Sequence, residues 1–311
     1  MDLDPEVQAL YDAWNAEGPP PPPATDLAEF RRRDVALAKR LGGKPVAVAR
    51  VENRVIEASP RDLAVRLYWG TTAPNLPLVT WFHGGGFVAG SVESSDAVCR
   101  ILAAGIPALV ASVEYPLAPE FPFPAGIEDA YGVLQWLRGN AAKLGGRDGP
   151  FVLGGESAGG TVAAAVSRRL RAAGAPLPAL QVLVYPATDV RPLLAEPRGP
   201  GGAAELGTPA WWAEQYLRGA DPGDPDASLV ADPAPGGLPS TIVVSGGADP
   251  MAPEGAAYVR LLAAAGVDAR EKLYPGMPHG FFGWNVGLRS CAVAHEDVVG
   301  AIRKALKSPA S

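Results

Sequence analysis

Between residues 76 and 275, short apolar runs alternate with helical stripes, and this rhythm constrains the fold more than any other feature. "LPLVTWF" (76–82) and "IPALVASVEY" (106–115) are nearly continuous apolar runs, as required of strands covered on both faces. "PFVLGG" (150–155), "LQVLVYP" (180–186), "STIVVSGG" (240–247) and "DAREKLYP" (268–275) continue the series. Helical patterns fall between them: Ile127, Tyr131, Leu134 and Trp136/Leu137 on one stripe, then Ala158–Ala172, then Pro253–Ala265, stopped by Gly266. Strands alternating with helices imply an α/β fold, a mostly parallel central sheet flanked by helices on both faces. A chain of 311 residues can form it as one large domain.

The flanks read differently. Val7, Leu10, Tyr11 and Trp14 make one helical face, and the proline run Pro19–Pro23 breaks it with a stiff polyproline II spacer. A second helix is expected from Asp26 to Arg40, ended by Gly42 and Gly43. Strands begin near Val46, and Leu63, Val65, Leu67 and Trp69 alternate with Ala64, Arg66 and Tyr68 as in a half-buried antiparallel strand. A final helix carries Val298, Ile302 and Leu306. The stretch 189–228 breaks the strand–helix rhythm. It is rich in proline and glycine, holds the aromatic knot "WWAEQY", and reads as an insertion standing on the sheet.

Composition excludes several classes. With 27 basic and 33 acidic side chains, the formal charge is −6, a poor match to nucleic acid or an anionic membrane. The one basic run, Arg31–Arg33, reads as a solvated helix face. No apolar stretch reaches the ~20 residues of a membrane helix, and "MDLDPEVQALYDAW" lacks the basic and apolar regions of a signal peptide. Cys99 and Cys291 lie far apart without a C-x-x-C pattern, which argues against a thiolate metal site and for a reducing cytoplasm.

The chemistry concentrates at "GGESAGG" (154–160). Gly155-Glu156-Ser157-Ala158-Gly159 fits G-x-S-x-G, between an expected strand and an expected helix. That context turns the chain sharply and lifts a serine oxygen clear of its backbone at the carboxyl edge of the sheet. A serine hydroxyl needs a base. Of three histidines, His279 follows the last expected strand on a turn-rich loop at that same edge, while His295 sits in an amphipathic helix with a surface or packing role. Asp249 follows the run "VVSGGA" and can orient the imidazole, giving the chain order Ser157, Asp249, His279. Among nearby carboxylates, Glu156 adjoins the serine but should diverge from it, Asp189 suits anchoring of the insertion, and Glu254 suits a helix N-terminus. "HGGG" (83–86), ending a buried strand, supplies close-approaching backbone N–H groups for an oxyanion, completed by the N–H of Ala158.

Taken together, "HGGGFVAGS", "EYPLAPEFPFPAGIEDA", "GGESAGG", "YPATD", "GLPSTIVVSGGADPMAPEG" and "YPGMPHGF" resemble the bacterial hormone-sensitive-lipase-like esterases, α/β-hydrolases of the H-G-G-G class, over most of residues 75–285. The resemblance implies an α/β-hydrolase fold with Ser157, Asp249 and His279 as triad. It implies Gly85, Gly86 and Ala158 as the oxyanion hole, with Gly84 allowing the turn. It also implies a helical cap formed by residues 1–45 and 189–228. Glu156, Pro116 and Pro253 depart from the usual residues of the family. The expected reaction is hydrolysis of short- to medium-chain carboxylic esters through an acyl-enzyme, on a small-molecule substrate, without metal or organic cofactor, nucleic acid or membrane. The same triad could act on an amide, lactone or carbamate. A rival from another class is a small-molecule receptor on a disabled hydrolase fold, such as the plant gibberellin receptors, which lack the histidine retained here as His279. The oligomeric state is left open, a homo-oligomer included.

Overall fold

A computed structural model of the chain describes residues 2–18, 24–57, 61–195 and 206–307. The proline run and part of the expected insertion lie outside the described residues. In chain order the elements are α1 (Pro5–Ala16), α2 (Leu27–Gly42), β1 (Arg50–Glu57), β2 (Asp62–Trp69), β3 (Leu78–Phe82), α3 (Asp96–Gly105), β4 (Leu109–Val113), α4 (Ala125–Gly139), β5 (Val152–Glu156), α5 (Ala158–Ala172), β6 (Leu180–Val184), α6 (Arg191–Leu194), α7 (Pro209–Leu217), β7 (Thr241–Gly246), α8 (Ala252–Ala264), β8 (Ala269–Tyr274) and α9 (Arg289–Lys307).

The strands form one sheet in the order β1-β2-β4-β3-β5-β6-β7-β8. β1 and β2 pair antiparallel, as do β2 and β4, and every later pairing is parallel. All residues of β3 and β4 are buried, as their continuous apolar runs require. One face packs on α4, α5 and α8 through Ile127, Leu134, Val162, Val166 and Leu262. The other packs on α3 and α9 through Val98, Leu102, Val298 and Ile302, with Val7 of α1 at its margin. The parallel strands point their carboxyl ends one way, so the loops after β3, β5, β7 and β8 share an edge.

Several expectations need correction. The first strand begins at Arg50 rather than near Val46. Tyr68 is buried, not solvent-facing: α3, which the sequence pattern did not reveal, covers that face, and Tyr68 donates a hydrogen bond to Asp96 at 2.9 Å. Arg31 is not part of a solvated face. Its guanidinium donates to the carbonyls of Val88 (2.7 Å) and Ala118 (2.9 Å) and pairs with both oxygens of Glu120. Of the two roles expected for His295 the structure has the packing one: the ring is buried, with its Nε2 donating to the Phe282 carbonyl at 2.7 Å.

Candidate active site

β5 lies between β3 and β6, and Ser157 follows it at the start of α5. Its backbone takes φ 54° and ψ −122°. Such a conformation costs a non-glycine residue about 1–3 kcal/mol and persists only where the surroundings enforce it. Here the Ser157 N–H is tied to the Val184 carbonyl of β6 at 2.8 Å. The residues two positions away must be small. A Cβ on Gly155 would stand 2.3 Å from the Gly159 oxygen, and one on Gly159 would stand 2.1 Å from the Phe82 oxygen. A serine at a helix N-cap ordinarily accepts a hydrogen bond from the N–H of the second or third helical residue. Ser157 makes no such cap bond. Its Oγ lies instead 3.0 Å from Nε2 of His279.

His279 stands in the loop after β8, 2.8 Å through Nδ1 from Oδ2 of Asp249. A carboxylate only accepts, so the shared proton resides on Nδ1, and Nε2 presents its lone pair to the Ser157 hydroxyl. Asp249 is 4% exposed, and its other oxygen accepts the Met251 N–H at 2.8 Å. Backbone bonds sew the two loops together: Gly247 N–H donates to Tyr274 O at 2.8 Å and Ala248 N–H to Met277 O at 3.0 Å. α9 holds the far side of the histidine loop, with Cys291 Sγ donating to the Phe281 carbonyl and His295 to that of Phe282. Tyr185, beside the elbow, packs its ring 4.6 Å from the imidazole.

The H-G-G-G turn follows β3. The His83 ring is fully buried and stacked on Tyr115 at 4.3 Å, and burial depresses its pKa, favouring the neutral imidazole. Nδ1–H donates to the Gly84 carbonyl at 2.8 Å, and the Tyr115 hydroxyl donates to the His83 carbonyl at 2.7 Å. With these carbonyls engaged, the N–H groups of Gly85, Gly86 and Ala158 make no hydrogen bond among the described residues. Gly85 and Gly86 have φ of 119° and 60°, a region open to glycine. Gly84 packs on the elbow, where a Cβ would lie 3.4 Å from Ser157 Cβ.

The remaining carboxylates sit apart from the imidazole. Glu156 diverges, its oxygens accepting from Ser95 (2.9 Å) and Tyr185 (3.0 Å), and burial raises its pKa. Asp189 stands at the two stems of the insertion, bonded to Arg191 and to the Ser228 hydroxyl. Glu254 lies in the first turn of α8 near the Thr188 and Asp189 backbone, its pKa pushed up to about 7 by burial and by the Asp189 charge. Pro253 occupies the first turn of the same helix, where its missing N–H costs nothing. Tyr115 and Tyr185 fall inside the motifs "EYPLAPEFPFPAGIEDA" and "YPATD", but their contacts were not legible there, and Ser95 carried no signal, because only folding brings the three to the edge.

No group of three or more His, Cys, Asp or Glu side chains suited to a metal ion, and no helix long and apolar enough to cross a membrane, occurs among the described residues.

A family model described as alpha/beta hydrolase fold matches residues 79–283. Carboxylesterase NlhH of Mycobacterium tuberculosis is 33% identical over 325 residues, covering 98% of this chain and 97% of that protein. Ethyl acetate hydrolase of Pseudomonas putida is 33% identical over 299 residues, covering 90% and 92%. A solved structure, that of a hyperthermophilic esterase from the archaeon Pyrobaculum calidifontis, superposes with a TM-score of 0.85 at 33% identity, over 98% of this chain and 99% of that one. Whole-length similarity thus joins the sheet order and the serine elbow, and the chain belongs to the alpha/beta hydrolase fold family, on its hormone-sensitive-lipase-like esterase branch.

Proposed function

We propose that this protein hydrolyses carboxylic esters of short to medium acyl chain through Ser157, His279 and Asp249. The observation that carries the reading is the uncapped N-cap serine, whose Oγ faces the lone pair of an imidazole held by a buried carboxylate. Ser157 Oγ attacks the ester carbonyl carbon while His279 Nε2 takes its proton. Asp249 keeps the ring oriented and stabilises the imidazolium. The carbonyl oxygen becomes an oxyanion facing the N–H groups of Gly85, Gly86 and Ala158, with the positive end of the α5 dipole behind them. His279 then protonates the leaving alcohol, and an acyl-Ser157 remains. Water enters, His279 deprotonates it, and a second oxyanion collapses to the acid and free serine. Every proton and charge in this cycle is handled by side chains and backbone of this chain.

The retained imidazole favours catalysis over a receptor role, since a pure binding site has no use for the Ser157–His279 contact. We further read α2 and α7 as parts of a cap: Phe30 and Trp211 meet edge-on at 6.4 Å above the turn that follows β3. Two free, buried thiols, Cys99 and Cys291, support a reducing compartment such as the cytoplasm. A panel of 4-nitrophenyl esters of increasing acyl length, with a matched amide and a lactone, tests the reading. Wild-type protein should release a burst of nitrophenol from the acetate and turn over, with rates falling for long chains. No burst and no turnover on any member would refute it, and preference for the amide or lactone would move the substrate class.

A further inference from the structure

The triad is held by the sheet and its loops, but the oxyanion turn is gripped from outside the sheet. Trp212 and Tyr216 stand one helical turn apart on α7, on one face. They meet two consecutive residues of the turn. A Cβ built on Gly86 would stand 2.8 Å from Cδ2 and 2.9 Å from Cγ of Trp212, so the indole face fills the space beside Gly86. The Tyr216 ring stacks on Phe87 with centroids 3.7 Å apart and planes 10° apart. Both turn residues have positive φ, 60° for Gly86 and 65° for Phe87, and a phenylalanine in that region needs outside support. The grip is by ring faces alone: among the described residues, Trp212 Nε1 and the Tyr216 hydroxyl are buried without a hydrogen-bond partner. Further along the same turn, α2 takes hold, with Arg31 Nε bonded to the Val88 carbonyl at 2.7 Å.

We propose that α7 is a positioning element of the oxyanion hole, with Trp212 as the positioning residue that fixes where the Gly86 N–H points. This rests on the ester-hydrolase reading and deepens it. The helix from the insertion then acts on the rate of the chemical steps, not only on which acyl group fits. An oxyanion donor is worth its full effect only when pre-oriented, since a donor that must reorganise during reaction loses the advantage over water. Removing the indole frees Gly86 to rotate through the wide φ range open to glycine.

The test separates positioning from simple pocket-lining. 4-Nitrophenyl acetate is the substrate, because its acyl group is the shortest and is least affected by a change in pocket depth. Removing one oxyanion donor costs about 100- to 1,000-fold in kcat, so loosening one should cost about 10- to 100-fold. Trp212→Ala should therefore lower kcat by that factor with KM within about threefold. An aryl trifluoromethyl ketone gives the second readout. Ser157 Oγ adds to its carbonyl carbon, the hydroxyl proton passes to His279, and the carbonyl oxygen becomes an oxyanion in the hole. Its affinity should weaken by a factor similar to that in kcat, and Trp212→Phe should restore both to within a few-fold. If the alanine variant does not fold, Trp212→Leu, which keeps apolar volume without a flat face, carries the same measurements. Unchanged kcat and ketone affinity, with shifts only in KM or in preference among longer acyl groups, would overturn the proposal and leave Trp212 a pocket wall. A wild type inert on the acetate would instead overturn the ester-hydrolase reading itself.

Discussion

Gly159 lies so close to the end of β3 that a Cβ there would stand 2.1 Å from the Phe82 carbonyl oxygen and 2.4 Å from that of His83. Both obstacles are backbone, so neither can swing aside. Gly159→Ala must push the elbow away from β3 and from the turn that follows it. We expect a loss of about 3 kcal/mol in stability, at the upper end for overpacking. Ester turnover should fall more than about 100-fold, because small misplacements of reacting groups are costly. Urea denaturation and nitrophenyl acetate kinetics check both, and near-wild-type values in both would show that the contact is not limiting.

Gly300 offers the opposite case. It is exposed inside α9 and an added Cβ would meet nothing within 4 Å. Gly300→Ala should stabilise the protein by about 0.5–1 kcal/mol through helix propensity, with unchanged turnover. A melting experiment on the two proteins reads it, and a lower melting temperature would contradict the expectation.

The assignment of the acid rests on Asp249 reaching His279 Nδ1 at 2.8 Å, whereas Glu254 sits five residues on, facing the stem of the insertion. Asp249→Asn should cut kcat by about 10⁴-fold, as in the serine-protease template, because the amide favours the wrong imidazole tautomer. Glu254→Gln should keep kcat within a few-fold. Steady-state kinetics on one ester decides it, and the reverse pattern would transfer the acid role to Glu254.

Glu254 should instead show itself in stability. Its folded-state pKa is raised from 4.5 to about 7, chiefly by burial and next by the Asp189 charge. The folded protein therefore holds this proton more tightly than the unfolded chain does. The stabilisation is fully present below about pH 4.5 and is lost as pH rises through about 7. Comparing Glu254→Gln with wild type by urea midpoints at pH 5 and pH 8, wild type should lose more stability over that interval than the variant. Parallel losses in the two proteins would show that Glu254 does not titrate there.

The N-terminal helices should also matter to turnover. α2 reaches the turn that follows β3 through Arg31 and meets α7 through Phe30 and Trp211. Deleting residues 1–40 should weaken activity on nitrophenyl acetate and alter the ranking of longer acyl chains. A folded truncation with the wild-type ester profile would rule out the cap role of this segment.

Much of this protein was legible in the chain. Alternating runs and stripes specified the parallel layers, because a strand covered on both faces must be apolar throughout and a helix beside it must carry a stripe. β3 and β4 are buried along their whole length, as their sequences demanded. Ser157, Asp249 and His279 could be placed because each sits just after a recognisable strand, and parallel strands deliver such positions to one edge. That Ser157 and Asp249 each come within 3.0 Å of opposite nitrogens of His279 is a fact of the folded chain.

What only the tertiary structure decided lies where local pattern carries no information about the partner. α3 has an apolar stripe but few sequence signals at its ends, and its cap residue Ser95 makes no side-chain cap bond, its hydroxyl being given to Glu156. Arg31 reads as a surface charge, since nothing nearby in sequence reveals that the Val88 and Ala118 carbonyls will stand above it. The meeting of Trp212 with Gly86, 126 positions apart, depends on how an insertion folds back over the sheet. Spacing in a sequence fixes which face a side chain shares with its near neighbours, and contacts made across a hundred residues are set by the packing of whole elements.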